Sequence, residues 1–219
     1  MTARAEHFST ACRLCSRLAE HLDQVRTEFP DYHAKPVAPF GDAQPRLLIV
    51  GLAPGMHGAN RTGRPFTGDH AGILLYDTLH RFGFANQGVA TDPKDGLRLF
   101  GCRVTNAVKC LPPQNKPLPE EVGRCNAYLR REIAALPNGA AILALGSIAH
   151  RAVLMALGLR PAACPFHHGA RHGLPQARTL YDSYHCSRYN TQTRRLTKDM
   201  FNQVFTDIVQ NLSKTPPVI

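Results

Sequence analysis

Four cysteines of this chain form two pairs with different spacings. Cys12 and Cys15 have two residues between them, whereas Cys110 and Cys125 have fourteen. Thiolate is a soft ligand, and four thiolates suit either a zinc ion or an iron–sulfur cluster. Because the second pair can reach the first only through tertiary folding, a shared metal centre would also tie the N-terminus to the core.

A glycine-rich segment, GLAPGMHGANRTGRPFTGDHAG at 51–72, could hold a planar polar ligand. It matches neither a GxGxxG fingerprint nor a P-loop, but its six glycines allow the backbone to turn sharply and approach a ligand closely. The alternative is an unusually long strand-to-helix connection. Its polar and aromatic candidates are Asn60, Arg61, Arg64, Phe66 and Asp69.

Two further segments carry candidate side chains. Asn106 in TNAVKC offers an amide that can pair with the edge of a nucleobase, although a turn or cap residue is the alternative. His185 opens the polar, basic segment HCSRYNTQTRRLT, which also contains Ser187, Arg188 and Asn190. A lone histidine is often structural, but its position in a basic loop favours a functional role.

A histidine-rich loop contains His167, His168 and His172. A histidine-based metal site is one alternative, but no nearby carboxylate or cysteine spacing supports it strongly, so we interpret this loop as polar surface that could contact nucleic acid. The remaining cysteines are expected to be buried as small apolar residues. They are Cys102, Cys164 and Cys186.

Strand and helix patterns alternate along the chain. Strands are expected at 47–52, 102–110, 140–146 and 178–185, and helices at 16–28, 71–84, 119–136, 147–158 and 196–212. This alternation predicts one α/β domain over 1–219 with a parallel sheet covered on both sides. Since sites in such sheets form at the carboxyl ends of strands, we expect the loops at 51–69, 106–117 and 185–195 to carry the chemistry.

The overall charge favours a polyanionic partner. The 219 residues carry a formal net charge of +10, a field that suits nucleic acid, an anionic membrane or acidic substrates. A generally basic protein is the alternative. The chain has no run of eighteen apolar residues and no leader-like start, so we expect a cytoplasmic protein that neither spans a membrane nor is exported.

Three motifs together resemble the iron–sulfur uracil-DNA glycosylases, specifically the family 5 (type b) branch. They are GLAPGMHGANRTGRPFTGD, TNAVKC followed by a fourteen-residue gap to Cys125, and YHCSRYNTQT. The cysteine set Cys12, Cys15, Cys110 and Cys125 matches the cluster-binding pattern of families 4 and 5. The resemblance spans residues 12–197, nearly the whole chain.

This resemblance implies a three-layer α/β/α fold with a four-stranded parallel sheet and a [4Fe–4S] cluster. It implies excision of uracil from DNA, the first step of base excision repair, and often of hypoxanthine and xanthine. The damaged base would be flipped out of the DNA, and we expect a nucleoid-associated protein. Nothing in the sequence demands more than a monomer. It also implies that Phe66 stacks on the base, that Asn106 reads its edge and that His185 stabilises it as it departs.

Further residues of the matching motifs are expected at the site. Gly51 and Ala53 would contact the substrate. Arg61, Arg64, Ser187, Arg188 and Asn190 would contact DNA. Many superfamily members carry an acid or Asn after the first strand to direct the water, whereas this chain has Ala53, which leaves Asp69 and Asn60 as candidates. The last motif usually begins His-Pro-Ser, but Cys186 replaces the proline here.

Two other functions remain open on the residues alone. A non-enzymatic nucleic-acid-binding module with a structural zinc on the same four cysteines explains the charge but not the polar strand ends. A hydrolase of nucleosides or free nucleotides explains the strand ends but not the excess of positive charge. Colour distinguishes the first alternative, because an iron–sulfur protein is brown and a zinc protein is colourless.

Overall fold

The computed structural model describes residues 8–214. Seven α-helices alternate with six β-strands in this range. The helices are α1 Ser16–Glu28, α2 Ala59–Thr62, α3 His70–Arg81, α4 Pro119–Ala134, α5 Ser147–Leu157, α6 Arg188–Gln192 and α7 Lys198–Lys214. The strands are β1 Phe40–Gly41, β2 Leu47–Gly51, β3 Cys102–Asn106, β4 Ala141–Leu145, β5 Arg171–Gly173 and β6 Thr179–Ser183.

The six strands form one sheet in the order β1-β3-β2-β4-β6-β5. The four central strands run parallel, as predicted, but the expectation of a four-stranded, wholly parallel sheet is wrong at both edges. There β1 pairs antiparallel with β3, and β5 pairs antiparallel with β6. These edge strands have only two and three residues, which is too short to produce a readable alternation of polar and apolar positions.

Helices cover both faces of the sheet because its central strands are apolar on both sides. All five residues of β2 are buried, and so are all five of β4. In β2, Leu47 and Ile49 pack into one core with α3 and α7, whereas Leu48 and Val50 pack into the other with α1, α4 and α5. Because both faces of these parallel strands are buried, their sequences are continuous apolar runs. None of the helices between residues 8 and 214 has the length and apolar composition that crossing a bilayer requires.

The carboxyl ends of the strands meet at one edge of the sheet. Gly51 at the end of β2 is in register with Asn106 at the end of β3. The strand predicted at 102–110 ends at Asn106, and the chain then turns so that the Ala107 N–H donates to the Gly51 carbonyl at 2.9 Å. This hydrogen bond connects the start of the glycine-rich loop with the start of the loop after β3.

Candidate active site

A cavity of about 430 Å³ opens at this edge of the sheet. Phe66, Asn106 and His185, which come from three separate loops, all line it. The full lining consists of Leu52, Ala53, Gly55, Phe66, Asp69, His70, Ala71, Asn106, Asn115, His185, Ser187 and Arg188. Its volume lies within the range of small-molecule sites, and its wall combines an aromatic ring with amide, imidazole and carboxyl groups.

Phe66 is held on the cavity wall in a conformation that few side chains adopt. Its φ is +55°, in the left-handed region, which costs a non-glycine residue about 1–3 kcal/mol. Two glycines leave room for it, since a Cβ at Gly51 would lie 2.6 Å from the Phe66 Cζ and one at Gly72 would lie 1.8 Å from the Phe66 carbonyl oxygen. The absence of side chains at Gly51 and Gly72 therefore leaves room for the ring and for the backbone carbonyl of Phe66.

The ring of His185 lies almost parallel to that of Phe66. The two ring centroids are 6.0 Å apart, with an angle of 26° between the planes. Burial lowers the pKa of His185 to about 4, so the imidazole is neutral at pH 7 and keeps one N–H donor. A hydrogen bond within the loop stabilises the backbone at this residue, because the Asn190 side-chain amide donates to the His185 carbonyl at 2.8 Å.

Asn106 presents an amide with unused hydrogen-bonding capacity. The side chain is buried, and its Oδ1 has no hydrogen-bond partner among the described residues. A Cβ at Gly51 would lie 2.5 Å from this oxygen, so the absence of a side chain at that position is what gives the amide its space. Buried polar atoms are nearly always paired in folded proteins, and an unpaired acceptor on a cavity wall is suited to a ligand donor.

Among residues 8–214, Asp69 is the one acidic residue that lines this cavity. Burial raises its pKa, although the Ala59 N–H opposes this by donating to Oδ2 at 3.0 Å. The carboxyl group packs so tightly against Gly58 that a Cβ there would lie 1.9 Å from its Cγ. Asp69 is thus positioned by the glycine-rich loop, at a place from which a carboxylate could orient a water molecule.

Two predicted residues of the same loop, Asn60 and Arg61, lie away from the cavity wall. The Asn60 side-chain amide is fully buried and has no partner among the described residues. Arg61 Nε donates to the His57 carbonyl at 2.7 Å. Neither side chain lines the cavity.

Arg64, which the sequence predicts to contact DNA, is placed by the structure in an ion pair inside the protein. Its guanidinium is buried and forms a double hydrogen bond with the Asp95 carboxylate at 2.9 and 2.6 Å. Burial alone would raise the pKa of Asp95, but the bonds from Arg64 and from backbone N–H groups lower it to about 2. Arg64 therefore ties the glycine-rich loop to the segment that contains Asp95.

Ser187 and Arg188, for which we expect DNA contact, both line the cavity. Arg188 is exposed, and the Ser187 hydroxyl accepts the Asn190 N–H at 3.4 Å as the N-cap of α6. Sequence reasoning missed Asn115 and His70, which also line the cavity. A sequence signal for Asn115 was available, because this asparagine comes shortly after two prolines in the loop at 106–117, where we expect the chemistry.

The four paired cysteines line a second cavity, between α1 and α4. Two of their sulfurs accept hydrogen bonds: the Tyr128 hydroxyl donates to Cys12 Sγ and the Lys109 N–H donates to Cys125 Sγ, both at 3.3 Å. Burial raises the pKa of Cys125 to about 11, so a bound cation is needed to keep such a sulfur as thiolate at neutral pH. A soft metal centre fits this set of donors.

The spacing of the four thiols argues against a single zinc ion. Within residues 8–214, the one group of three His, Cys, Asp or Glu ligand atoms that all lie within 4.8 Å of one another contains no cysteine. Tetrahedral zinc, with Zn–S bonds of about 2.3 Å, would hold its four sulfurs roughly 3.8 Å apart. A cluster with several metal ions holds its thiolate ligands further apart than a single zinc ion does.

Comparison with known proteins finds uracil-DNA glycosylases. A model of the Uracil DNA glycosylase superfamily matches residues 38–209. A type-5 uracil-DNA glycosylase of Thermus thermophilus is 50% identical over 200 residues, which cover 89% of this chain and 91% of that protein. The type-5 enzyme of Pyrobaculum aerophilum is 41% identical over 197 residues, covering 88% and 85%. That of Mycobacterium bovis is 42% identical over 204 residues, covering 90% and 76%.

Proposed function

The chain belongs to the uracil DNA glycosylase superfamily and, within it, to the type-5 uracil-DNA glycosylases, and we propose that it excises uracil from DNA to begin base excision repair. The observation that carries this proposal is the convergence of Phe66, Asn106 and His185 on one cavity. A base inside a duplex is out of reach of such a cavity, so the target nucleotide must be rotated out of the helix.

The three side chains have complementary tasks in this proposal. Phe66 stacks on the extruded base, and the free Oδ1 of Asn106 accepts a hydrogen bond from its edge. Cleavage of the N-glycosidic bond leaves negative charge on the base and positive charge on the sugar. The neutral His185 ring donates a hydrogen bond to the pyrimidine oxygen on which the negative charge collects.

Asp69 is the residue we propose to direct the attacking water. Its carboxylate lies on the cavity wall and is anchored by the Ala59 N–H. The neighbouring DNA phosphates also stabilise the cationic sugar, which reduces the need for a strong base. Asp69→Asn keeps the size of the side chain and removes its charge. A fall to background excision would mean that a positioned carboxylate is essential, and a modest fall would favour stabilisation by the phosphates.

We further propose that the substrates include hypoxanthine and xanthine. The cavity of about 430 Å³ has room for a purine, and Ala53 adds little bulk to its wall. An asparagine amide can present either an acceptor or a donor, so it can pair with the edges of several deaminated bases.

A glycosylase assay tests the function. Duplexes that contain uracil, hypoxanthine or xanthine are incubated with wild type, His185→Ala and the control His80→Ala, whose side chain is exposed on α3. Loss of one preorganised donor should slow excision about 100- to 1,000-fold in His185→Ala only. Excision of uracil alone would contradict the wider substrate range. Release of uracil from free deoxyuridine but not from DNA would contradict the function itself.

For the four cysteines we propose a [4Fe–4S] cluster with a structural role. Cys12, Cys15, Cys110 and Cys125 would supply its four thiolates, and the cluster would tie the segment before α1 to α4. The buried sulfurs, their N–H and O–H donors and the absence of zinc-like spacing support this assignment. Brown protein with about four iron atoms per chain is expected. Colourless protein with one zinc ion per chain would contradict it.

A further inference from the structure

Two buried side chains and one partly buried side chain, from three separate elements, meet away from both cavities. They are His150 of α5, His172 of β5 and Asp182 of β6. His150 Nδ1 lies 2.7 Å from Asp182 Oδ1, and His172 Nε2 lies 3.3 Å from Asp182 Oδ2. The Asp182 side chain is 0% exposed, that of His150 2% and that of His172 12%.

The hydrogen-bonding pattern of His150 cannot be satisfied by a neutral imidazole alone. Its Nε2 lies 2.8 Å from the Cys164 carbonyl oxygen, which can only accept, and its Nδ1 faces a carboxylate oxygen. A neutral ring carries a single N–H donor. When that donor serves Cys164, the Nδ1 lone pair points at Asp182, and this arrangement requires a positive charge between the two atoms. Either a proton or a metal ion can supply this charge.

We propose that His150 Nδ1, His172 Nε2 and the Asp182 carboxylate bind a divalent first-row transition metal ion such as Zn²⁺. Two imidazoles and one carboxylate are donors that such ions favour. Within residues 8–214 these are the atoms that form the one compact group of three possible ligands. The His150 ring also donates its outer N–H to a backbone carbonyl, which is how metal-binding histidines are commonly oriented.

The three ligand atoms lie within 4.8 Å of one another, and the two histidines face different oxygens of the Asp182 carboxylate. Zinc lies about 2.1 Å from nitrogen and oxygen donors, so tetrahedral donors are roughly 3.4 Å apart. The distance between His172 and Asp182 already matches this value, at 3.3 Å. The His150–Asp182 pair, at 2.7 Å, would open by well under 1 Å. The ion would join α5, β5 and β6 just before the loop that carries His185.

Crystallography of the cluster-loaded protein tests the location of the ion. Crystals are soaked in zinc chloride, and anomalous diffraction is measured at the zinc absorption edge. We expect a zinc peak within about 2.1 Å of all three donor groups. The absence of a peak there at saturating zinc, with the imidazole–carboxylate contacts intact, would overturn the proposal and leave the group as a hydrogen-bonded network.

A titration in solution tests the ligands separately. Zinc is titrated calorimetrically into cluster-loaded wild type, His172→Gln and the control His167→Gln. The His167 side chain is exposed in the segment that precedes β5. Loss of a second-shell partner weakens metal sites 10- to 100-fold, so loss of a ligand in His172→Gln should weaken zinc binding by more than about 100-fold. The control should keep the wild-type Kd.

Equal zinc binding by all three proteins would overturn the proposal. Correct folding of His172→Gln is checked by its retained brown colour and melting temperature. If that variant does not fold, the crystallographic result on the wild type decides the question.

Discussion

His185 is partly buried, and we propose that its ring takes part in the chemistry. Charging its ring inside the protein is unfavourable because the surrounding protein atoms replace water, and this lowers its pKa to about 4. Because the ring stays neutral, the folded protein becomes less stable in acid. The same neutral ring can donate a hydrogen bond to a departing base at neutral pH. We therefore expect stability and activity to respond in opposite directions when this residue is replaced.

The stability of the wild type should fall between pH 6.5 and 4. In this window the unfolded chain protonates its histidine at the ordinary pKa of 6.5, whereas folded His185 stays neutral. The unfolded state then binds more protons, so the free energy of unfolding decreases as the pH falls, by at most about 3 kcal/mol from this residue. His185→Gln should lose less stability, as measured by melting temperatures across this range. Parallel losses in wild type, His185→Gln and the exposed control His80→Gln would contradict the assignment.

At the residue scale, the sequence could supply the types of the site residues but not all of their partners. Phe66, Asn106 and His185 lie in recognisable motifs, and the structure brings them together. Arg64 lies in the same motif, yet its charge is neutralised by Asp95, 31 residues further along. A local pattern of residues cannot distinguish an arginine that meets DNA from one that meets a distant carboxylate. The compact group of His150, His172 and Asp182 was missed for the same reason, since its carboxylate comes from a strand.

The end of β2 shows how an element can shape the site without contributing a side chain. Gly51 closes this strand directly beneath Phe66 and Asn106. A Cβ at this position would approach the Asn106 Oδ1 to 2.5 Å and the Phe66 Cζ to 2.6 Å. These distances are shorter than van der Waals contact, so any other residue must displace the two side chains that line the cavity.

Gly51→Ala should therefore slow uracil excision by about 100-fold, which is the typical cost of misplacing reacting groups by 1 Å. The measurement is the single-turnover rate on a uracil-containing duplex. The matched control is Gly123→Ala on the exposed face of α4, where an added Cβ meets nothing within 4 Å. That variant should keep the wild-type rate and gain about 0.5–1 kcal/mol of stability, because alanine favours the helix. A Gly51→Ala rate equal to that of the control would contradict the close packing.

At the element scale, long periodic segments were predictable and short ones were not. The five longer helices and the four parallel strands follow from hydrophobic patterns, and the alternation of these elements indicates an α/β fold. The edge strands β1 and β5 are set by tertiary pairing, with Phe40 opposite Val104 and His172 opposite Leu180. Two or three residues carry too little periodicity to predict such pairings.

At the scale of the whole molecule, the prediction of the family is confirmed by the superfamily match and by the type-5 relatives. The net charge of +10 agrees with a polyanionic substrate. The N-terminal helix is anchored independently of any metal, because Arg17 forms hydrogen bonds of 2.8 and 2.7 Å with the buried Glu121 of α4. Loss of a cluster should therefore loosen the segment around Cys12 more than it loosens α1.

Arg188→Ala should weaken DNA binding to a similar extent for uracil-containing and undamaged duplexes. Its exposed guanidinium lies at the rim of the cavity, where it can meet a phosphate. Binding measured across a range of salt concentrations should lose about one unit of slope in log Kd against log salt. The control is Arg98→Ala. The Arg98 side chain is exposed and precedes β3, whose carboxyl end faces the cavity, so this variant should keep the wild-type slope. Equal slopes in all three proteins would place the DNA elsewhere.

The most direct measurement is a crystal structure of the protein with free uracil, the expected product. We predict the uracil ring stacked on Phe66, one edge hydrogen-bonded to the Asn106 amide and a carbonyl oxygen within reach of a His185 nitrogen. Uracil bound at another surface, or a cavity that stays free of uracil at saturating concentration, would contradict a single base-binding site formed by these three loops.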